Sequence, residues 1–189
     1  MAVYRGDVEG PFSEAFHTPV GEFESDIELA CPPSNATPLE YSQVVVRVNN
    51  GTDVSGLAGN TASTLEGRGF VVTGAVNWSR DYSGTVRILY GEQGLQHAYT
   101  LATHFTDADL VLDTRDDITL DLILGDRFGE SPQLRELLSP ELDMELPLSP
   151  SGECLPVTLI DAQPAPRTLP ENPLAEAEPS ASPSPEPEE

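Results

Sequence analysis

Proline divides this chain more sharply than any other residue. Eighteen prolines occur in 189 residues, yet none lies between Pro38 and Pro132. Proline fixes φ and removes a backbone donor, so it is excluded from helix interiors and central strands. A regular, hydrogen-bonded unit is therefore confined to the proline-free window. That window spans about 90 residues, enough for one modest core. Four regions follow: an extended N-terminal arm (1–40), a compact domain (41–129), an irregular extension (130–161) and an acidic, proline-rich tail (162–189).

Within the window the apolar pattern alternates between two periods. Residues 43–49, Gln-Val-Val-Val-Arg-Val-Asn, are rich in β-branched side chains and read as a buried strand. Asn50-Gly51-Thr52-Asp53 supplies a turn and a helix cap. Val54, Leu57, Ala58, Thr61, Ala62 and Leu65 then fall at helical spacing, predicting a helix over 54–66 that ends at Gly67 and Gly69. A strand at 70–76 follows, then a polar connection and a strand at 85–90. Leu95, Ala98, Tyr99, Ala102 and Phe105 predict a second helix over 93–105. Short strands at 110–112 and 118–124 close the window. The order β-α-β-β-α-β-β predicts an α+β fold of ferredoxin-like plan with an added strand, two helices covering one face of a small mixed or antiparallel sheet. In 130–161, Val157-Thr158-Leu159-Ile160 reads as an edge strand. The Pro-, Glu-, Ala- and Ser-rich tail lacks an apolar pattern and is expected to be disordered.

Charge narrows the function. Nine arginines, no lysine and 32 acids give a net charge of −23. Such a chain is repelled by phosphate backbones and anionic bilayers, so neither nucleic acid nor a direct membrane surface is an expected partner. Arginine without lysine points to a GC-rich bacterial coding bias. Cys31 and Cys154 bracket the window, an even pair expected to form a disulfide in an oxidising compartment. No apolar run of membrane-spanning length and no signal peptide occurs, so the sequence read literally is that of a soluble chain.

The catalytic and metal patterns sought are missing. His97 and His104 lie seven apart with no third ligand and are expected as exposed or half-buried helix residues. Asp113, Asp116, Asp117 and Asp121 lack the alternation of a calcium loop and read as a solvated turn. No catalytic residue, metal site or cofactor is assigned. Two places suit a ligand. Asn50, Gly51 and Thr52 precede a helix, where free N–H groups favour an anion or a polar sugar. Trp78, the single tryptophan, sits beside Arg80 and Tyr82 in a polar connection and offers a stacking face for a glycan or a partner, or else covers a core edge.

The series Val44-Val45-Val46-Arg47-Val48-Asn49-Asn50-Gly51-Thr52, followed by Gly56-Leu57-Ala58, Thr61-Ala62, Leu65 and Gly69-Phe70, resembles the opening of the LytR C-terminal domain family. Tyr90-Gly91, Ala98, Leu101-Ala102 and Leu122-Ile123-Leu124-Gly125-Asp126-Arg127-Phe128 resemble its second half. The resemblance implies a bacterial envelope protein of a kind frequent in actinobacteria. In some members the domain follows a LytR-CpsA-Psr catalytic domain that attaches glycopolymers to peptidoglycan; in others it stands alone behind one transmembrane helix. The chain has no room for that catalytic domain, so a non-catalytic, stand-alone module is expected. It would be extracytoplasmic and would work in cell-wall assembly or maintenance, with an envelope protein or a cell-wall glycan as partner. The membrane would be met only through an N-terminal helix preceding Met1.

Overall fold

A computed structural model describes residues 27–130 and 134–175. Five strands and three helices alternate: β1 (Val45–Asn50), α1 (Leu57–Gly67), β2 (Val71–Asn77), β3 (Val86–Tyr90), α2 (Leu95–Ala102), β4 (Asp109–Leu112), β5 (Leu120–Leu124) and α3 (Asp126–Glu130). The α+β class and the order of the first seven elements agree with the sequence. α3, a single short turn, had no stripe long enough to announce it.

The strands form one mixed sheet in the order β2-β1-β5-β3-β4. β1 pairs in parallel with β2 and β5, β3 pairs in parallel with β4, and β3 meets β5 antiparallel. α1 and α2 therefore each link two neighbouring strands. In a ferredoxin-like sheet, by contrast, each crossover spans an intervening strand. The added strand β5 occupies the centre and joins two β-α-β halves.

Period-two alternation decides what each face carries. Val46 and Val48 of β1, Ile88 and Tyr90 of β3, and Leu120, Leu122 and Leu124 of β5 are all completely buried on one face. Leu57, Ala58, Ala62 and Leu65 of α1 and Leu95, Ala98, Tyr99 and Leu101 of α2 belong to the same apolar cluster. Both helices thus cover a single face. α1 starts three residues later than its stripe suggests, and Val54 is 46% exposed. Gly69 follows the helix at φ 102°, a left-handed position that a side chain would strain.

Flanking chain is fastened to this unit. Cys31 and Cys154 are disulfide-bonded, with Cα atoms 4.9 Å apart across 123 residues of sequence. Cys31 N–H donates to Leu155 O and Leu155 N–H to Leu29 O, extending the link as a small backbone bridge. Tyr99 Oη donates to Ala30 O at 2.6 Å, and burial pushes its phenol up to about 12. Val157–Leu159 forms a 3-10 turn in place of the expected strand, with Pro156 immediately before it. Val157 and Ile160 pack, partly buried, against the core while Leu159 is exposed, so the run is held by side chains and not by strand pairing.

The expected boundary of the tail moves. Gln163 N–H donates to Leu112 O, Thr114 N–H donates to Gln163 O, and Arg47 Nη2 donates to Thr168 O at 2.8 Å. Residues 163–168 therefore run as a strap from the β4 edge over to β1. The rest of the expected tail, 176–189, and the arm residues 1–26 lie outside the described residues.

Candidate functional site

The sheet face opposite the helices is not a second apolar core. Leu89, Val111 and Ile123 make a small cluster there with Tyr82, flanked by Ile27 and Trp78. Between them lie ionised side chains. Asp121 sits in mid-strand between Leu120 and Leu122 and is fully buried. Its Oδ1 accepts from Arg47 Nε at 2.7 Å and Asn49 Nδ2 at 2.9 Å; its Oδ2 accepts from Arg115 Nη2 at 3.1 Å. Arg115, 3% exposed, grips Asp113 through Nε and Nη2 and donates from Nη1 to Thr119 O. Burial pulls the Arg115 guanidinium down, but Asp113 and Asp121 outweigh it and hold the group above its usual value. Two arginines face two carboxylates, so the buried set is charge-balanced, the condition under which buried ions are tolerated.

This overturns the solvated-turn reading for Asp113 and Asp121. Asp116, exposed, and Asp117, which caps Thr119 N–H at 2.8 Å, keep that reading. The network also depends on Gly91: a Cβ there would clash with Arg115 O. No cluster of acids, histidines or cysteines able to hold a metal occurs among the described residues.

His104 departs from expectation as well. It lies beyond the end of α2, fully buried, with its ring edge-on to Tyr41 and Phe70, which stack on each other at 4.8 Å. Arg68 Nη1 lies 2.8 Å from Nδ1 and donates to it. Burial first, and Arg68 second, lower its pKa to about 4, so the ring is neutral and structural. His97 is half-buried, as expected, and burial lowers its pKa too.

Above the charged network lies a cleft of about 630 Å³. Its floor is Arg47, Asn49, Arg87, Leu89 and Ile123; one wall is the connection Trp78–Tyr82, and another is the strap 163–168. Arg87 lies 4.5 Å over the Tyr82 ring and bonds Asp109 Oδ2 at 3.3 Å, while Tyr82 Oη donates to the same oxygen at 2.7 Å. Burial, then Asp109, pushes the Tyr82 phenol well above its ordinary range, so it stays protonated. A polar connection after β2 thus becomes a rigid rim with Trp78 partly exposed on it.

The four residues singled out for ligand binding come together. Asn50, Gly51, Thr52 and Trp78 line one shallow pocket, and Trp78 also lines the cleft. Their polar groups are differently engaged. Asn50 Oδ1 accepts from Thr52 N–H and Oγ1, Asn50 Nδ2 donates to Val54 O, and Gly51 N–H donates to Leu124 O. These groups build the loop, and α1 begins only at Leu57 with Gly56 as its N-cap. Trp78 N–H donates to Asn50 O, and its side chain packs on the small apolar cluster, leaving part of the indole open. The floor arginines and the strap were missed in the sequence. Asp121, breaking a run of leucines at the alternate position, was the available signal.

Residues 43–128 match the family model described as LytR cell envelope-related transcriptional attenuator, LytR_C. Among solved structures the chain is similar to the soluble domain of a conserved hypothetical secreted protein from Mycobacterium marinum. That domain is 21% identical, covers 61% of this chain and 83% of its own, and superposes with a TM-score of 0.49. No curated protein matches the sequence. Among the described residues, no helix is long and apolar enough to cross a membrane.

Proposed function

With residues 43–128 belonging to the LytR_C family, we propose that the chain is a non-catalytic, cell-envelope-associated binding module. It would act as an accessory in cell-wall assembly or maintenance. The Cys31–Cys154 disulfide supports an oxidising, extracytoplasmic setting. The observation that carries the reading is the cleft over the open sheet face, rimmed by Trp78 and braced underneath by the Asp121–Arg115–Asp113 network. The concavity of the cleft and its partly open indole favour a saccharide of the wall over a flat protein surface. An envelope protein docking over the same rim is the second reading, favoured by Val76, 45% exposed at the uncovered β2 edge.

Retention of the purified chain on isolated sacculi, without other proteins, tests the choice. Glycan binding predicts retention that falls at least fivefold in Trp78→Ala, with the thermal midpoint measured alongside to exclude unfolding. Wild-type chain that washes through freely would remove the glycan reading.

A further inference from the structure

The arginines of this chain are unevenly spent. Arg115 is sealed between Asp113 and Asp121, Arg68 faces His104 and Arg135 O, and Arg135 meets Glu141. Arg47 and Arg87 are matched by Asp121 and Asp109. Arg80 and Arg167 differ. Both are exposed, both line the cleft, and neither side chain has a hydrogen-bond or ion-pair partner among the described residues. One stands on the Trp78–Tyr82 wall and the other on the strap, so two separate segments of chain bring a free guanidinium to one cavity. Four of the nine arginines line it. Of the two lining acids, Asp113 is already held by Arg115, which leaves Asp81 as the one unpaired carboxylate. In a chain of net charge −23 this is a local reversal of sign.

We infer that the cleft recognises an anionic saccharide. A sugar ring stacks on Trp78, and its phosphate or carboxylate lies between Arg80 and Arg167. This rests on the cleft being a binding site and adds the charge of its occupant. A guanidinium offers forked donors that match either oxyanion in a two-point contact. An isolated anion on a largely neutral sugar suits the site better than a continuous polyanion, which the acidic surface would repel at longer range. A volume of about 630 Å³ accepts a short oligosaccharide.

The test is NMR titration of the full chain with glucose 1-phosphate, glucuronic acid, glucose and inorganic phosphate. The charged sugars should shift the Trp78 indole and the amides of 78–82 and 163–168. Glucose and inorganic phosphate should each bind at least fivefold more weakly. Arg80→Gln and Arg167→Gln should each weaken the charged sugars fivefold or more. Arg127→Gln, an exposed arginine off the cleft, should leave binding unchanged. Affinity should also fall as sodium chloride rises, because both cations are exposed. Glucose shifting the cleft as strongly as the charged sugars would overturn the anionic assignment and leave the binding site standing. Inorganic phosphate binding as tightly as the sugars would reduce it to an ion site. Silence of every probe would remove both the assignment and the site. The ratio between the two charged sugars identifies which oxyanion is preferred.

Discussion

The two faces of one sheet solve different problems here. The helix-covered face is built almost wholly from Val, Leu, Ile and aromatic side chains, with both helices pressing on it. The open face alternates a small apolar cluster with Arg47, Asn49, Asp121 and Arg115. Because side chains alternate along each strand, neighbouring residues such as Leu122 and Ile123 serve opposite faces. The first face specifies the fold through volume and dryness. The second is held by directional bonds, which fix geometry at little net gain in stability. A face held that way can keep polar atoms at the floor of a cleft without collapsing onto them.

Four substitutions sharpen that contrast. The largest effect is expected on the open face. Arg115→Met leaves Asp113 as a buried carboxylate without a cation and Asp121 with Arg47 and Asn49 alone, and should cost about 3–5 kcal/mol in urea unfolding. A loss below about 1 kcal/mol would mean that the carboxylates reach water and that this face is not sealed. Next comes the closed face. Leu122→Ala should cost about 2–5 kcal/mol by opening a cavity. Ile123→Ala, one residue along and bordering the cleft, should fall at the bottom of that range or below it, since the neighbouring space is already open. Equal losses would erase the distinction between the faces.

The remaining effect is read by pH. His104 has a folded pKa of about 4 against 6.5 for the free side chain, so the unfolded chain binds the extra proton first. Its contribution is intact above about pH 6.5 and is lost as pH falls toward 4, on the order of 3 kcal/mol in all. His104→Phe keeps an aromatic in the Tyr41–Phe70 cage and should flatten that acid slope in denaturation curves taken between those limits.

The closed face was legible in the sequence because hydrophobic periodicity reports burial, and burial is what made it. Val44 to Val48, Leu57 to Leu65 and Ile118 to Leu124 each announced an element within a few residues of its true bounds. The open face was not legible for the same reason. Asp113, Arg115 and Asp121 look solvated until their partners are known, and those partners sit 6 and 74 residues away from Asp121. The strap was hidden by composition. Residues 163–168 have little apolar surface, and what orders them is backbone pairing at Gln163 and one arginine from β1. Trp78 and its neighbour Arg80 were visible in the sequence, and Arg47, Arg87 and Arg167 joined them only through the fold.

The crosslink between Cys31 and Cys154 encloses the entire sheet and both long helices, whereas the strap lies beyond it. Tension applied between the two ends of the polypeptide would travel through the sulfur atoms and bypass β1 to β5. The strap, hanging outside that covalent ring by a few hydrogen bonds, is among the described segments that would feel the pull. Stretching would peel it away first and unroof the cleft, while the body beneath stayed folded.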